Sequence, residues 1–362
     1  MASAADASSI ELPPTTWNDL IGHDRIVEAI GVALQRGRLS GSLLIVGPAG
    51  VGKTTLAMLL ARTILCDESP PAKLSPCGNC QGCKQVLAGT HPDLVQASKP
   101  PDKTLIPLER LIGPPEARLR RGFCHDIHLR PTSGRRKVAI LHDVDYLNEE
   151  GANCLLKTLE EPPGDALILL IGTSEQRQLP TIRSRCQILR LSAPRGEQAV
   201  GILRRHLAIA PPDSIPEDAD LSDQSLAEAV QLAAGDLEMA MRLVTGYSES
   251  IRTAITAQLR ESVPDPAAMT RVLTKHLDAA GKESNRRRAA FKDACTFILQ
   301  HYRHQLRHDA RQGVYDPATD RRLDRTLRVF REIDRMANLS TLVECYAADL
   351  TLAQTGDRGQ IG

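Results

Sequence analysis

The stretch Ser42-Leu43-Leu44-Ile45-Val46-Gly47-Pro48-Ala49-Gly50-Val51-Gly52-Lys53-Thr54-Thr55 decides the fold. An apolar, β-branched run leads into a glycine-rich turn, and the apolar pattern Thr55–Ile64 then opens a helix. Strand, loop and helix follow in the order a phosphate cradle needs. Glycine lets successive backbone N–H groups converge on phosphate oxygens, and the helix N-terminus adds positive potential. Gly47, Gly50 and Gly52 are the candidate loop residues, and Lys53 is the candidate counter-charge to the β- and γ-phosphates. The Thr54 hydroxyl would hold Mg²⁺, with Thr55 completing the candidate set. ATP with Mg²⁺ is the ligand expected of such a loop.

Outward from this loop, further short apolar runs at Leu94–Ala97, Lys137–Leu141, Ala166–Ile171 and Gln187–Leu191 read as buried parallel strands. Pro- and Gly-bearing connections separate them, such as Pro70–Pro71, Pro100–Pro101, Pro114–Pro115 and Pro162–Gly164. After Ala193–Arg195 the pattern turns helical, is interrupted by the proline- and acid-rich Pro211–Asp220, and resumes from Ile251 to about Gln354. The expectation is an α/β domain over residues 15–194 behind a short tail at 1–14. All-helical blocks follow at 195–249 and 250–355.

Composition narrows the class. In 362 residues, 45 Lys and Arg oppose 44 Asp and Glu, a formal charge of +1 that argues against a bulk nucleic-acid coat. With 42% hydrophobic residues the chain can bury a core, and with 3% aromatics that core must be aliphatic. No run approaches the roughly 20 apolar residues that cross a bilayer. The stretch Met1–Ser9 lacks the basic and apolar regions of a secretory signal. Nine cysteines without an export signal point to a reduced compartment, the cytoplasm, and to metal rather than disulfides.

Four of those cysteines, Cys66, Cys77, Cys80 and Cys83, are clustered as C-x10-C-G-N-C-Q-G-C. Tetrahedral Zn²⁺ takes four soft ligands, and short C-x-x-C turns present two thiolates on one side while a distant cysteine closes the cage. A closed cage leaves no position for water, so the expected Zn²⁺ is structural. His91, beside a strand in His91-Pro92-Asp93, reads as a buried or capping residue. Cys124, Cys154, Cys186, Cys295 and Cys345 read as small core residues.

The segment Lys137-Val138-Ala139-Ile140-Leu141-His142-Asp143-Val144-Asp145 is an apolar strand ending in acid, where a P-loop ATPase keeps one carboxylate for Mg²⁺ and a second to polarise water. The pair is absent. Either Asp143 is the metal residue and Val144 replaces the second acid, or Asp143 is the second acid and His142 replaces the first. Both registers leave the hydrolytic apparatus one carboxylate short, and weak hydrolysis or none is expected.

Asn153-Cys154-Leu155-Leu156-Lys157-Thr158-Leu159-Glu160-Glu161-Pro162-Pro163 is an amphipathic helix stopped by two prolines. It closely resembles the N-x-L-L-K-T-L-E-E-P-P segment of the clamp-loader AAA+ subunits of bacterial DNA polymerase III. The opening Trp17-Asn18-Asp19-Leu20-Ile21-Gly22-His23, the four-cysteine module and Ser184-Arg185-Cys186 are similar to the same family, which covers roughly residues 15–245. The resemblance implies a P-loop AAA+ α/β domain with a zinc-module insertion, then an all-α lid and an all-α collar that joins the subunits of a ring. By the same resemblance, Arg185 is an arginine finger offered to a neighbour's ATP, with Arg183 as its fallback, and Thr173 is a polar sensor at a strand end. Such a finger contributes about 10³–10⁵ in rate.

Gly235-Asp236-Leu237-Glu238-Met239-Ala240 resembles the family's lid motif, with Glu238 where motor subunits carry an arginine that reaches phosphate. A retained finger beside two altered catalytic places resembles the non-motor, delta-prime branch of the family. Its implied partners are the gamma/tau and delta subunits, the sliding clamp and, indirectly, primed DNA. A gamma/tau-like motor, or an unrelated zinc-containing AAA+ remodeller, are the alternatives.

Arg286-Arg287-Arg288 with Lys292, Arg303 and Arg307 reads as one solvated face, because Glu283 and Asp293 accompany it and aromatics are few. Phe291, Phe297, Ile298 and Leu306 are expected to be exposed in the isolated chain and covered by neighbouring subunits.

Overall fold

Strands with no polar face need helices on both sides, and a five-stranded parallel sheet whose three central strands are of this kind organises the first part of this chain. The computed structural model describes residues 16–39, 41–100, 103–132, 136–209, 215, 221–233, 236–245, 249–261, 265–281, 284–334 and 338–355. The chain divides into two compact units between residues 202 and 203.

In the first unit the elements run α1 (Asp24–Gln35), β1 (Gly41–Val46), α2 (Lys53–Leu65), α3 (Gln81–Leu87), β2 (Leu94–Ala97), α4 (Leu108–Ile112) and α5 (Phe123–His128). They continue with β3 (Val138–Leu141), α6 (Glu149–Glu160), β4 (Leu167–Gly172), α7 (Pro180–Arg183) and β5 (Gln187–Arg190), and the division between the units falls within α8 (Gly196–Ile209). The sheet order is β2-β3-β4-β1-β5 with every pairing parallel, so β4 sits between the strand that precedes the glycine loop and the strand that ends in acid.

Alternation along the strands feeds two cores. Leu43, Ile45, Val138, Ile140, Leu167 and Leu169 pack with Leu56, Leu59 and Leu60 of α2 on one face. Leu44, Val46, Leu141, Ile168 and Leu170 pack with Leu111, Ile127, Leu155 and Leu159 on the other. The sheet is therefore a buried middle layer whose strand ends are its only functional edges.

The second unit is helical: α9 (Asp223–Leu232), α10 (Leu237–Thr245), α11 (Glu249–Arg260), α12 (Pro266–Ala279), α13 (Ser284–Arg311), α14 (Pro317–Asp334) and α15 (Leu339–Thr355). Its core centres on α13, where Phe291 meets Tyr346 edge-to-face at 5.9 Å between ring centres, and Tyr346 shares a 2.9 Å hydroxyl hydrogen bond with Thr326. Phe291, Phe297 and Ile298 are buried within this unit and Leu306 is half-buried. The expectation that this face waits for a neighbouring subunit is thus corrected. Helical periodicity reports that a face is buried, and here α12, α14 and α15 of the same chain cover it. No helix among the described residues is long and apolar enough to cross a membrane.

Candidate functional site

The glycine loop leaves β1 at Val46 and enters α2 at Lys53. Gly50 and Gly52 adopt φ of +70° and +91°, the left-handed region where side chains are strained. Gly47 is required by proximity: a Cβ there would lie 2.4 Å from the Leu191 carbonyl oxygen beyond β5. Lys53 Nζ donates to the carbonyls of Gly47 at 2.8 Å and Pro48 at 2.5 Å, so the ammonium lies over the loop that phosphates would enter. Thr54 and Thr55 follow in the first turn of α2.

His23 makes a contribution that sequence reasoning missed. Its Nε2 meets the Val51 carbonyl inside the loop at 3.0 Å, and burial pushes its pKa down, which keeps the imidazole neutral. Trp17 Nε1 donates to Thr63 Oγ1 at 3.0 Å, so the opening segment pins both loop and helix.

Parallel register brings Val46 opposite Gly172 and Leu141 opposite Leu170. The glycine loop, Thr173 and Asp143 therefore emerge on the same carboxyl edge of the sheet. Asp143 sits at φ +58°, and its Oδ2 accepts the Lys99 N–H at 3.3 Å. His142 is half-buried with its Nε2 3.4 Å from Gln96 Oε1, and burial lowers its pKa. The exposed Thr173 donates its backbone N–H to Asp145 Oδ2 at 2.7 Å. Asp145 also accepts from Gln178 Nε2, so it ties the end of β4 to the turn after β3. It was legible only as a second acid two places beyond Asp143.

Arg185 is not brought to this edge. It precedes β5, whose first residue Gln187 pairs with Leu43, near the start of β1. Arg185 thus belongs to the opposite, amino edge of its own sheet, away from its own loop. There its Nε donates to Glu160 Oε1 at 2.5 Å, and Nη1 to the Thr181 carbonyl and Ser184 Oγ, both at 3.1 Å. Arg183 instead lies 3.6 Å from Glu175, which Arg190 also meets at 2.7 Å. Gly235 lies outside the described residues, as does the side chain of Glu238.

The cysteine module hangs from the C-terminal end of α2. The sulfurs of Cys66, Cys77, Cys80 and Cys83 all lie within 4.8 Å of one another, with Cys66 and Cys80 3.9 Å apart. A tetrahedron of ~2.3 Å Zn–S bonds has edges of about 3.8 Å, so the donor set fits zinc. Backbone N–H groups of Ser69 and Cys77 donate to Cys66 Sγ at 3.3 and 3.4 Å, and that of Cys83 donates to Cys80 Sγ at 3.3 Å. Burial alone would raise the Cys66 thiol, but N–H donors from Cys77, Ser69 and Glu68 outweigh it and bring the pKa to about 7. His91 is buried outside this cage, its Nδ1 accepting the Asp93 N–H at 3.0 Å. Among the other cysteines Cys124 and Cys295 are buried and Cys154 and Cys186 half-buried, whereas Cys345 is exposed and so not a core residue.

Comparison with known proteins adds the following. A family described as "DNA polymerase III, delta subunit" matches residues 22–195. DNA polymerase III subunit delta' of Pseudomonas aeruginosa is 34% identical over 223 residues, which is 61% of this chain and 65% of that protein. DNA polymerase III subunit tau of Salmonella typhimurium is 29% identical over 278 residues, 74% of this chain and 41% of that protein. The chain therefore spans just under two thirds of the first relative and about two fifths of the second. A solved DNA polymerase III gamma subunit-related protein from Thermotoga maritima aligns with a TM-score of 0.42 at 17% identity, over 93% of this chain and 99% of that one.

Proposed function

The chain belongs to the bacterial DNA polymerase III clamp-loader family, and on that premise we propose that it is a non-motor subunit of the loader, a delta-prime-like stator. In this reading it completes the AAA+ ring with gamma/tau and delta subunits, donates Arg185 to a neighbour's ATP, and helps place the sliding clamp on primed DNA in the cytoplasm. Residues 15–194 serve as the AAA+ domain, 195–249 as the lid and 250–355 as the collar.

The observation that carries this reading is one sided chemistry: Arg185 is retained at the amino edge of the sheet, while the carboxyl edge offers His142-Asp143-Val144 in place of two adjacent acids. A guanidinium at the edge opposite its own loop can serve another subunit, where it offsets charge that develops on the transferring phosphate. A loop that keeps Lys53 and Thr54 can hold ATP with Mg²⁺, yet Asp143 alone gives it little power to activate water. Glu238 would repel phosphate where a motor subunit attracts it. Zn²⁺ on the four cysteines is structural in this account, holding the insertion between α2 and α3.

The complete loop also supports a second reading, a gamma/tau-like motor in which Asp143 does the second acid's work at reduced rate. ATP turnover by the reconstituted loader with clamp and primed DNA separates them. The stator requires that Arg185→Ala in this subunit cut turnover while Lys53→Ala is nearly silent. Comparable loss with Lys53→Ala supports the motor, and no loss with either variant removes both roles.

A further inference from the structure

We infer that a cleft in the helical unit, between α9, α11 and α13, binds the phosphodiester backbone of single-stranded nucleic acid. The cleft has a volume of about 880 Å³, within the range of real ligand sites, and α13 lines it with Arg303, Arg307 and Arg311 together with His304 and His308. The three arginines recur every fourth residue, so they share one helix face at steps of about 6 Å. A row of cations suits a linear polyanion better than a single phosphate.

The decisive contrast is with the arginines about four to seven turns earlier on the same helix. Arg287 pairs with Asp278 at 2.8 Å, and Arg288 Nη1 donates to the Ile333 carbonyl at 3.1 Å. Elsewhere in the unit Arg325 is held by both Asp349 and Glu332. Arg303, Arg307 and Arg311 have no ion pair or hydrogen bond among the described residues, and Arg303 is half-buried. Among the described residues the one acid lining the cleft is Glu228, which accepts Gln224 Nε2 at 3.4 Å. Three like charges facing one concavity repel each other and concentrate anions. The sequence reading of the whole basic stretch as one solvated face divides here: Arg287 and Arg288 are held by partners within the chain, whereas Arg303 and Arg307 have none among the described residues.

Nucleic acid is chosen over other polyanions because the rings of His301, His304 and His308 line the same cleft as the arginines and can stack on unpaired bases, and single-stranded over duplex because a cleft of this volume admits a few nucleotides of one strand. The inference depends on neither the finger nor ATP. The test is fluorescence anisotropy of a short labelled oligo(dT) with the full chain, at several salt concentrations. Arg303→Ala, Arg307→Ala and Arg311→Ala combined should weaken binding at least tenfold and flatten the salt dependence by about 2 units, some 0.7 per lost phosphate contact. Alanine favours the helix, so circular dichroism should be unchanged. Arg271→Ala, exposed and outside the cleft, should leave binding as it was.

Unchanged binding by the triple variant overturns the inference, as does a wild-type chain with no affinity for oligo(dT) at low salt. Arginine-dependent binding of polyglutamate in place of oligo(dT) assigns the cleft to an acidic protein and equally overturns it. Loss of oligo(dT) binding with ATP turnover intact would leave the stator reading standing, and the reverse would leave the cleft standing.

Discussion

Glu160, the last residue of α6, holds the guanidinium of Arg185 at 2.5 Å, so the helix that ends before Pro162-Pro163 and the segment Ser184-Arg185-Cys186 meet within one chain. The pair is part exposed, 30% for Arg185 and 47% for Glu160. Exposed ion pairs contribute about 0–1 kcal/mol, whereas a finger's rate effect corresponds to roughly 4–7 kcal/mol. In the proposed stator role, Glu160 would thus be a resting place that a neighbour's phosphate outcompetes. Glu160→Gln should change loader ATP turnover by less than tenfold and shift Tm by about 2 °C or less, while Arg185→Ala should lower turnover by about 10³. If Glu160→Gln abolishes turnover as fully, the two residues act as one catalytic unit.

Metal analysis of the purified chain should give one Zn²⁺, and Cys77→Ser with Cys80→Ser should remove it. Because Cys66 caps α2, Cys83 lies in α3 and α3 packs on α2, loss of metal should also lower Tm by several degrees. Stoichiometric metal in the double variant would mean the four sulfurs are not the site.

Gly47→Ala should destabilise the first unit by about 1–3 kcal/mol in urea unfolding, since its Cβ would meet a backbone oxygen of the neighbouring strand end, which cannot move aside like a side chain. An unchanged midpoint would show that the loop relaxes freely around this position.

Burial lowers the pKa of His23, and likewise of His142, His206 and His276. The unfolded chain takes up these protons near pH 6.5, before the folded chain does. Stability is therefore full above about pH 6.5 and declines as pH falls below it. Tm measured from pH 7.5 to 5 should drop, and His23→Gln, which keeps a donor for the Val51 carbonyl, should reduce that drop. A steeper fall in the variant would contradict the neutral imidazole.

Much of this was readable in the sequence where one physical cause dominates. The three central strands are buried on both faces and read as apolar runs, and all five strands lie within one residue of where the sequence pattern placed them. The metal-type cluster was legible because short cysteine spacings constrain geometry locally. What escaped needed three dimensions. Glu160 and Arg185 are 25 residues apart, His23 and Val51 are 28 apart, and nothing local links either pair. The fate of Phe291 and Phe297 was misjudged because an amphipathic pattern does not name its partner. Arg287 and Arg307 look alike in sequence, and only the surrounding helices distinguish a satisfied cation from a free one.

Helix α2 begins at Lys53 and is followed directly by Cys66, so one 13-residue rod of about 20 Å joins the nucleotide-type loop to the metal-type cage. Both of its ends are fastened, and most of its length is buried. Such a rod cannot absorb a push by bending. A displacement of the loop on ligand arrival would be delivered to the cysteine module almost undiminished, and Co²⁺ placed among the four sulfurs would register it as a change in visible colour.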